Sequence, residues 1–211
     1  MITLYHCANA RSFRALWTLE ELGLPYELQT MPFPPRFRQE GYLDLNPLGT
    51  VPTFLDGDVK MTESAAICHY LVTRYGPSPL AVEPDEADYG AYLNFLVMGE
   101  ATLTFPQTVY LRYTFLEPEE RKLPQAAADY AQWFASRFKA AVTLMGEEYA
   151  CAGRFTAADI SLGYAVKLAH AIGLGDAVPA KARDYWQRLQ SRAACQLAEA
   201  RDGVLRLREE S

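Results

Sequence analysis

The chain has 211 residues, half of them hydrophobic, and its 20 basic against 26 acidic side chains leave a net charge of −6. That is room for one large domain or two small ones around a substantial core. The acidic balance argues against a nucleic-acid binder, which needs a basic face to displace counterions, and against docking on anionic membranes.

The opening Met1-Ile2-Thr3-Leu4-Tyr5-His6 carries neither the charged region nor the apolar run of a leader peptide. Ile2 to Cys7 reads as a short strand. Arg11 to Leu22 reads as a helix, with Phe13, Leu16, Trp17 and Leu19 at helical spacing and Gly23 as its stop. Tyr26 to Thr30 reads as a second strand. Pro34 and Pro35 interrupt the pattern, and a short helix is expected from Arg36 to Leu43. Pro52 to Leu55 and Val59 to Met61 flank Asp56-Gly57-Asp58, a hairpin signal. Glu63 to Tyr75 is helical, with Ala66, Ile67, Tyr70 and Leu71 on one face. The order β-α-β-α-β-β-α gives a small mixed sheet flanked by helices.

Residues 76 to 86 hold Gly76, Pro77, Pro79 and Pro84 and read as a linker. Beyond it, helical patterns run over 87–113, 119–146, 157–172 and 181–200, an all-helical region. Phe155-Thr156-Ala157-Ala158-Asp159-Ile160 is a helix start with Thr156 as N-cap, Asp159 at N3, and Phe155 and Ile160 as staple. The tail Arg201–Ser211 is amphipathic. The expected division is 1–77, a linker at 78–86, and a helical domain over 87–211. No stretch approaches the roughly 18 apolar residues of a membrane span, and the protein reads as cytoplasmic.

The four cysteines (Cys7, Cys68, Cys151, Cys195) form no C-x-x-C pair, and the three histidines are scattered, so no metal site is expected. Phosphate-binding glycine loops are absent from the sequence.

Two segments carry binding chemistry. In Asn46-Pro47-Leu48-Gly49-Thr50-Val51-Pro52, a cis Val51-Pro52 bond would turn the Val51 backbone groups outward to pair with a peptide as an added strand. The alternative is a plain turn before a strand. In Thr62-Glu63-Ser64, a helix N-terminus and a hydroxyl suit a carboxylate, and Glu63 suits an ammonium, together an α-amino-acid head. The alternative is ordinary capping, with Thr62 as N-cap.

Pro52 followed eleven residues later by Glu63-Ser64, within that element order and ahead of a helical region, resembles the cytosolic glutathione transferases. Gly153-Arg154-Phe155-Thr156-Ala157-Ala158-Asp159 is similar to their C-terminal capping motif, and Ser12–Leu22 to the first helix of bacterial and fungal members. The resemblance implies a thioredoxin-like first domain without its cysteine pair, and glutathione as co-substrate. It implies that Val51 pairs with the cysteinyl part, that Pro52 is cis, and that Glu63 and Ser64 hold the γ-glutamyl end. Arg38 and Thr50 lie where members contact the glycyl end. A homodimer in a detoxifying role is implied as well, acting on a small hydrophobic electrophile.

The family's activating serine, cysteine or tyrosine has no match here. Alignment on Phe13-Arg14 places Ala10 at the serine position, so this chain reads as a serine-type-like member with Asn9-Ala10-Arg11 in that segment. A thiol with a pKa near ~8.5 needs a donor or positive field to ionise at neutral pH. Asn9, Arg11 and Ser12 are the candidates, each with a plainer alternative: turn residue, surface charge and helix N-cap. Cys7 is a further candidate, for a mixed disulfide. Tyr5 sits one residue from the tyrosine position, which reverses its face in a strand. Phe105, Tyr110, Tyr113 and Phe115 can line an apolar pocket for the electrophile, or be core. Transfer of glutathione to an electrophile leads. Glutathione-dependent disulfide or peroxide reduction, and a non-catalytic glutathione-binding module, remain open.

Overall fold

Along Ile2–His6 every second side chain is buried, the signature of a strand with one face on a core. In the computed structural model, which describes residues 1–204, this strand (β1) lies inside a sheet of order β2-β1-β3-β4. It runs parallel to β2 (Tyr26–Thr30) and antiparallel to β3 (Thr53–Asp56), which pairs in turn with β4 (Val59–Met61). The sheet unit has a thioredoxin-like mixed strand order, and the rest of the chain is helical. The hairpin turns at Gly57, as its sequence requires.

Parallel pairing needs a crossover, and α1 (Ser12–Leu22) supplies it. Ser12 to Leu19 are all buried, so the helix is covered on every side. It ends in a Schellman motif: Gly23 takes φ 61, its N–H donates to the Glu20 carbonyl, and Leu24 N–H donates to that of Leu19. The helix expected from Arg36 to Leu43 is instead two single turns, α2 (Pro35–Arg38) and α3 (Tyr42–Leu45). Gly41, at φ 73, breaks the run between them. The last helix of the unit's first stretch, α4, covers Ser64–Arg74. Glu63, not Thr62, occupies its cap position.

The chain divides into two compact units, 1–78 with 191–211, and 79–190. In the second, α5 (Tyr89–Met98) and α6 (Phe105–Leu111) form one path with π-helical stretches at Gly99–Thr104 and Arg112–Leu116. Pro106 lacks the N–H that would continue the α ladder, and Thr104 Oγ1 donates to the Gly99 carbonyl at 2.7 Å. Then come α7 (Pro124–Leu144), α8 (Ala157–Ala171) and α9 (Ala180–Gln190). Gly99 lets the chain pass α8 closely: a Cβ there would stand 2.3 Å from Ser161 Oγ. The expected capping box opens α8, with Thr156 N–H donating to Asp159 Oδ2 at 2.8 Å. Arg154 gathers residues 79–86 into this unit by donating to the Pro79 and Ala81 carbonyls and to Glu86. Among the described residues no helix is long and apolar enough to cross a membrane.

The helical pattern over 181–200 is broken at Arg192, whose backbone is extended. The last described helix, α10 (Ala193–Asp202), belongs with the sheet unit, packed on α1, rather than with the helical domain expected over 87–211. Of the amphipathic tail, residues 205–211 lie outside the described part of the chain.

Candidate active site

The loop between β1 and α1 carries the thiol candidates. Asn9 holds the left-handed conformation at φ 54, which asparagine tolerates better than most side chains. Its N–H donates to Asp202 Oδ1 at 3.0 Å. Ala10 and Phe13 close the turn through N–H bonds to the Cys7 and Ala10 carbonyls. Arg11, half-buried, takes the cap position of α1 with helical φ and ψ. Ser12 is therefore the first residue of the helix and not its N-cap, and it is fully buried. Its hydroxyl lies 2.8 Å from His6 Nδ1 and accepts from Cys7 N–H at 3.3 Å. Burial pushes the Cys7 thiol up to about 12, which disfavours the thiolate that a mixed disulfide would need.

Beside this loop lies the proline segment. Cys7, Met31, Tyr42 and Val51 form one apolar cluster, against which Tyr5, Ala10, Phe33 and Leu45 pack. The alanine of the loop and the residue before Pro52 thus meet on one patch. The Val51-Pro52 peptide is cis. The ladder's last pair is Tyr5 with Thr53, so Val51 lies past the end of sheet pairing. Its approach is fixed from behind: the Thr50 carbonyl accepts from Tyr42 Oη at 2.6 Å and from Asn46 Nδ2 at 2.8 Å. Asn46 Oδ1 accepts in turn from Leu48 N–H. At Gly49, φ is 62 and a Cβ would stand 2.7 Å from Arg36 Cβ, so this turn admits only glycine without rearrangement.

The third element is the start of α4. Ser64 is its first residue, buried, with Glu63 exposed just outside. Ser64 Oγ accepts from Arg14 Nη1 at 3.0 Å. Because that bond uses an oxygen lone pair, the Ser64 hydroxyl hydrogen remains available to donate, and the guanidinium polarises it. Arg14 is itself fully buried in α1, so one helix touches two of the three segments. Arg38 is exposed at the end of α2, and Thr50 is exposed beside Val51.

The aromatic candidates lie in the other unit. Phe105 meets Tyr130 of α7 edge-on, with ring centroids 6.3 Å apart. Tyr110 meets Phe115 at 6.2 Å, and Arg112 sits over the Tyr113 ring. Five residues along an α-helix turn a side chain by about 140°, so Phe105 and Tyr110 face different ways.

Sequence reading missed His6, Arg14, Tyr42, Asn46 and Asp202. Arg14 and Asn46 left a local trace, a charge among the apolar residues of α1 and an Asx turn before glycine. The His6–Asp202 contact spans 196 positions and left none.

A family model described as the N-terminal domain of glutathione S-transferase matches residues 1–73. Glutathione S-transferase 3 of Schizosaccharomyces pombe is 41% identical over 103 residues, 49% of this chain and 43% of that protein. That match therefore spans less than half of the relative's length. Glutathione S-transferase hmp2 of Hypomyces subiculosus is 33% identical over 145 residues, 64% of this chain and 68% of the relative. Among solved structures, the glutathione transferase URE2P8 of Phanerochaete chrysosporium with oxidized glutathione superposes with a TM-score of 0.82. It is 19% identical, with 95% of this chain and 94% of that one covered, a likeness of fold alone.

Proposed function

The chain belongs to the glutathione S-transferase family, and from that premise we propose that it binds glutathione on its sheet unit and promotes attack of the thiolate on a small hydrophobic electrophile. The observation that carries the reading is the packing of Ala10 with Val51 in one cluster beside the cis proline. In the proposal the Val51 backbone pairs with the cysteinyl residue as an added strand, which brings the sulfur to the Asn9-Ala10-Arg11 loop. Ser64 and the α4 N-terminus take the γ-glutamyl carboxylate, and Glu63 its ammonium. Arg38 and Thr50 serve the glycyl end.

Alanine neither donates nor ionises, so thiolate stabilisation falls to its neighbours. Arg11 supplies positive charge and a charge-assisted donor, and Asn9 an amide donor. Ser12, committed to His6, supports the loop from beneath. The thiol proton leaves to solvent, and the thiolate then bonds to the electrophilic carbon while that carbon's bond to its leaving group breaks, or its π bond opens and takes a proton from solvent, with no covalent enzyme intermediate. Tyr110 and Tyr113 are the proposed apolar contacts of the second substrate, with Phe105 the outlying member. The same reading makes the protein a cytoplasmic homodimer with a detoxifying role.

Ala10 also favours a second reading, a glutathione-binding module without catalysis. Thiolate ultraviolet absorbance of bound glutathione decides between them. With Arg11→Ala the pH midpoint of thiolate formation is expected to rise by about one unit towards that of free glutathione. An unchanged midpoint removes Arg11 from the mechanism.

A further inference from the structure

Between β1 and α10 lies a polar cluster that contributes no direct contact to the proposed chemistry. His6, Ser12 and Asp202 are each at most 1% exposed. His6 Nε2 lies 3.1 Å from Asp202 Oδ1 and 3.2 Å from the Asp202 carbonyl oxygen. A carboxylate accepts, so Nε2–H donates to Asp202, and Nδ1 lies 2.8 Å from the Ser12 hydroxyl on the other side of the ring. The same Oδ1 accepts the Asn9 N–H at 3.0 Å. One carboxylate oxygen thus holds the loop at two points, Asn9 directly and Ser12 through His6. The helix that carries it is fixed to α1 and β2. Arg192 makes a two-pronged pair with Glu21 at 2.7 and 2.8 Å, and Arg201 reaches Glu20 at 3.0 Å and Tyr26 at 2.8 Å.

We propose that Asp202 is a positioning residue for thiol activation: from the C-terminal helix it sets the Asn9-Ala10-Arg11 loop so that the donors of Asn9 and Arg11 face the bound sulfur. This rests on the reading that the loop handles the thiol. A left-handed asparagine persists where its surroundings over-determine it, and the Asp202 bond to its N–H is such a constraint. The carboxylate does not act on the sulfur through charge. A nearby negative group raises a thiol's pKa, so the help that Asp202 gives is geometric.

That sign shapes the test, in which the full-length protein is titrated with glutathione while thiolate absorbance is followed against pH. Asp202→Ser shortens the acceptor beyond reach of Asn9 and leaves room for a water on His6. Its thiolate midpoint is expected to rise by about one pH unit, with glutathione affinity held within about threefold, because the peptide's other contacts sit on other elements. Asp202→Asn keeps an acceptor oxygen without the charge, and its midpoint is expected to return towards that of wild type. A fall in the midpoint in both variants means that charge, not geometry, links Asp202 to the thiol, and overturns the proposal. Arg192→Ala loosens the same helix away from the loop and is expected to lower the melting temperature without moving the midpoint. An equal rise in Arg192→Ala at similar stability loss also overturns it.

Amide hydrogen exchange of wild type needs no variant. Asn9 N–H is expected to be protected like the amides of α1, and exchange at open-loop rates contradicts the proposal even if Asp202→Ser does not fold. A wild-type midpoint equal to that of free glutathione overturns the loop's role and this proposal together. A lowered wild-type midpoint unmoved by Asp202→Ser overturns this proposal alone.

Discussion

At Ser64 a single hydroxyl sits between a buried cation and the proposed ligand carboxylate. Arg14 donates to the oxygen, a bond that leaves the hydroxyl its own hydrogen to donate. Removing the oxygen by Ser64→Ala deletes a donor to a charged group, worth about 1.5–3 kcal/mol, and takes one acceptor from Arg14. The expected result is a rise in the glutathione dissociation constant of about tenfold or more, read by calorimetry, with a smaller effect on the thiolate midpoint. Unchanged affinity would show that the γ-glutamyl end binds elsewhere. The placement of Glu63 and Ser64 at the start of α4 was legible in the sequence because a strand end, a carboxylate, a hydroxyl and a helix start are contiguous. Arg14 stands 50 positions from Ser64, and nothing local to either residue announces the other. The same holds for Asp202, which no reading of residues 6 to 12 reaches. Ser12 shows the converse case: its sequence context suits an N-cap, but Arg11 takes the cap position, Ser12 is the first helical residue, and His6 lies against its hydroxyl.

Among the elements, α8 is the most completely specified by its own sequence. Thr156 and Asp159 form the expected capping box, and Asp159 also accepts from Ala150 N–H and Tyr185 Oη, both at 2.8 Å. Asp159→Ala would strand buried donors from two other segments as well as the cap, so a loss of about 2–4 kcal/mol is expected, measured by urea unfolding. Thr156→Ala, which removes only the cap side chain, is expected to cost about 1 kcal/mol. Equal costs would mean that the carboxylate's distant partners contribute nothing. Elements with weaker local signals were read less well. The pattern from Arg36 to Leu43 supports a helix until Gly41 breaks it, and the split into single turns matters because Tyr42 and Asn46 must reach the Thr50 carbonyl. The helical pattern over 181–200 continues through Arg192 without a proline or glycine, so its break leaves no mark in composition.

For the molecule as a whole, sequence order and spatial order differ at the C-terminus. The chain builds the sheet unit, then residues 79–190, and returns at 191 to place α10 on α1. Strand and helix order, the hairpin and the proline segment could be read because their signals are short-range. The return could not, because the residues that hold it, Arg192 on Glu21 and Asp202 on His6, meet partners 171 and 196 positions away. The consequence is functional if the loop at Asn9 activates a thiol, since its geometry is then set from both ends of the chain.

The most direct test of thiol activation is the ionisation of glutathione on the wild-type protein, followed by thiolate absorbance across pH, with S-methylglutathione as the control that binds without an ionisable thiol. Saturable binding of both peptides is expected, with a bound-thiol midpoint at least about one pH unit below the ~8.5 of a free thiol. Saturable binding with the midpoint of free glutathione would contradict activation and leave a glutathione-binding module in place of a transferase.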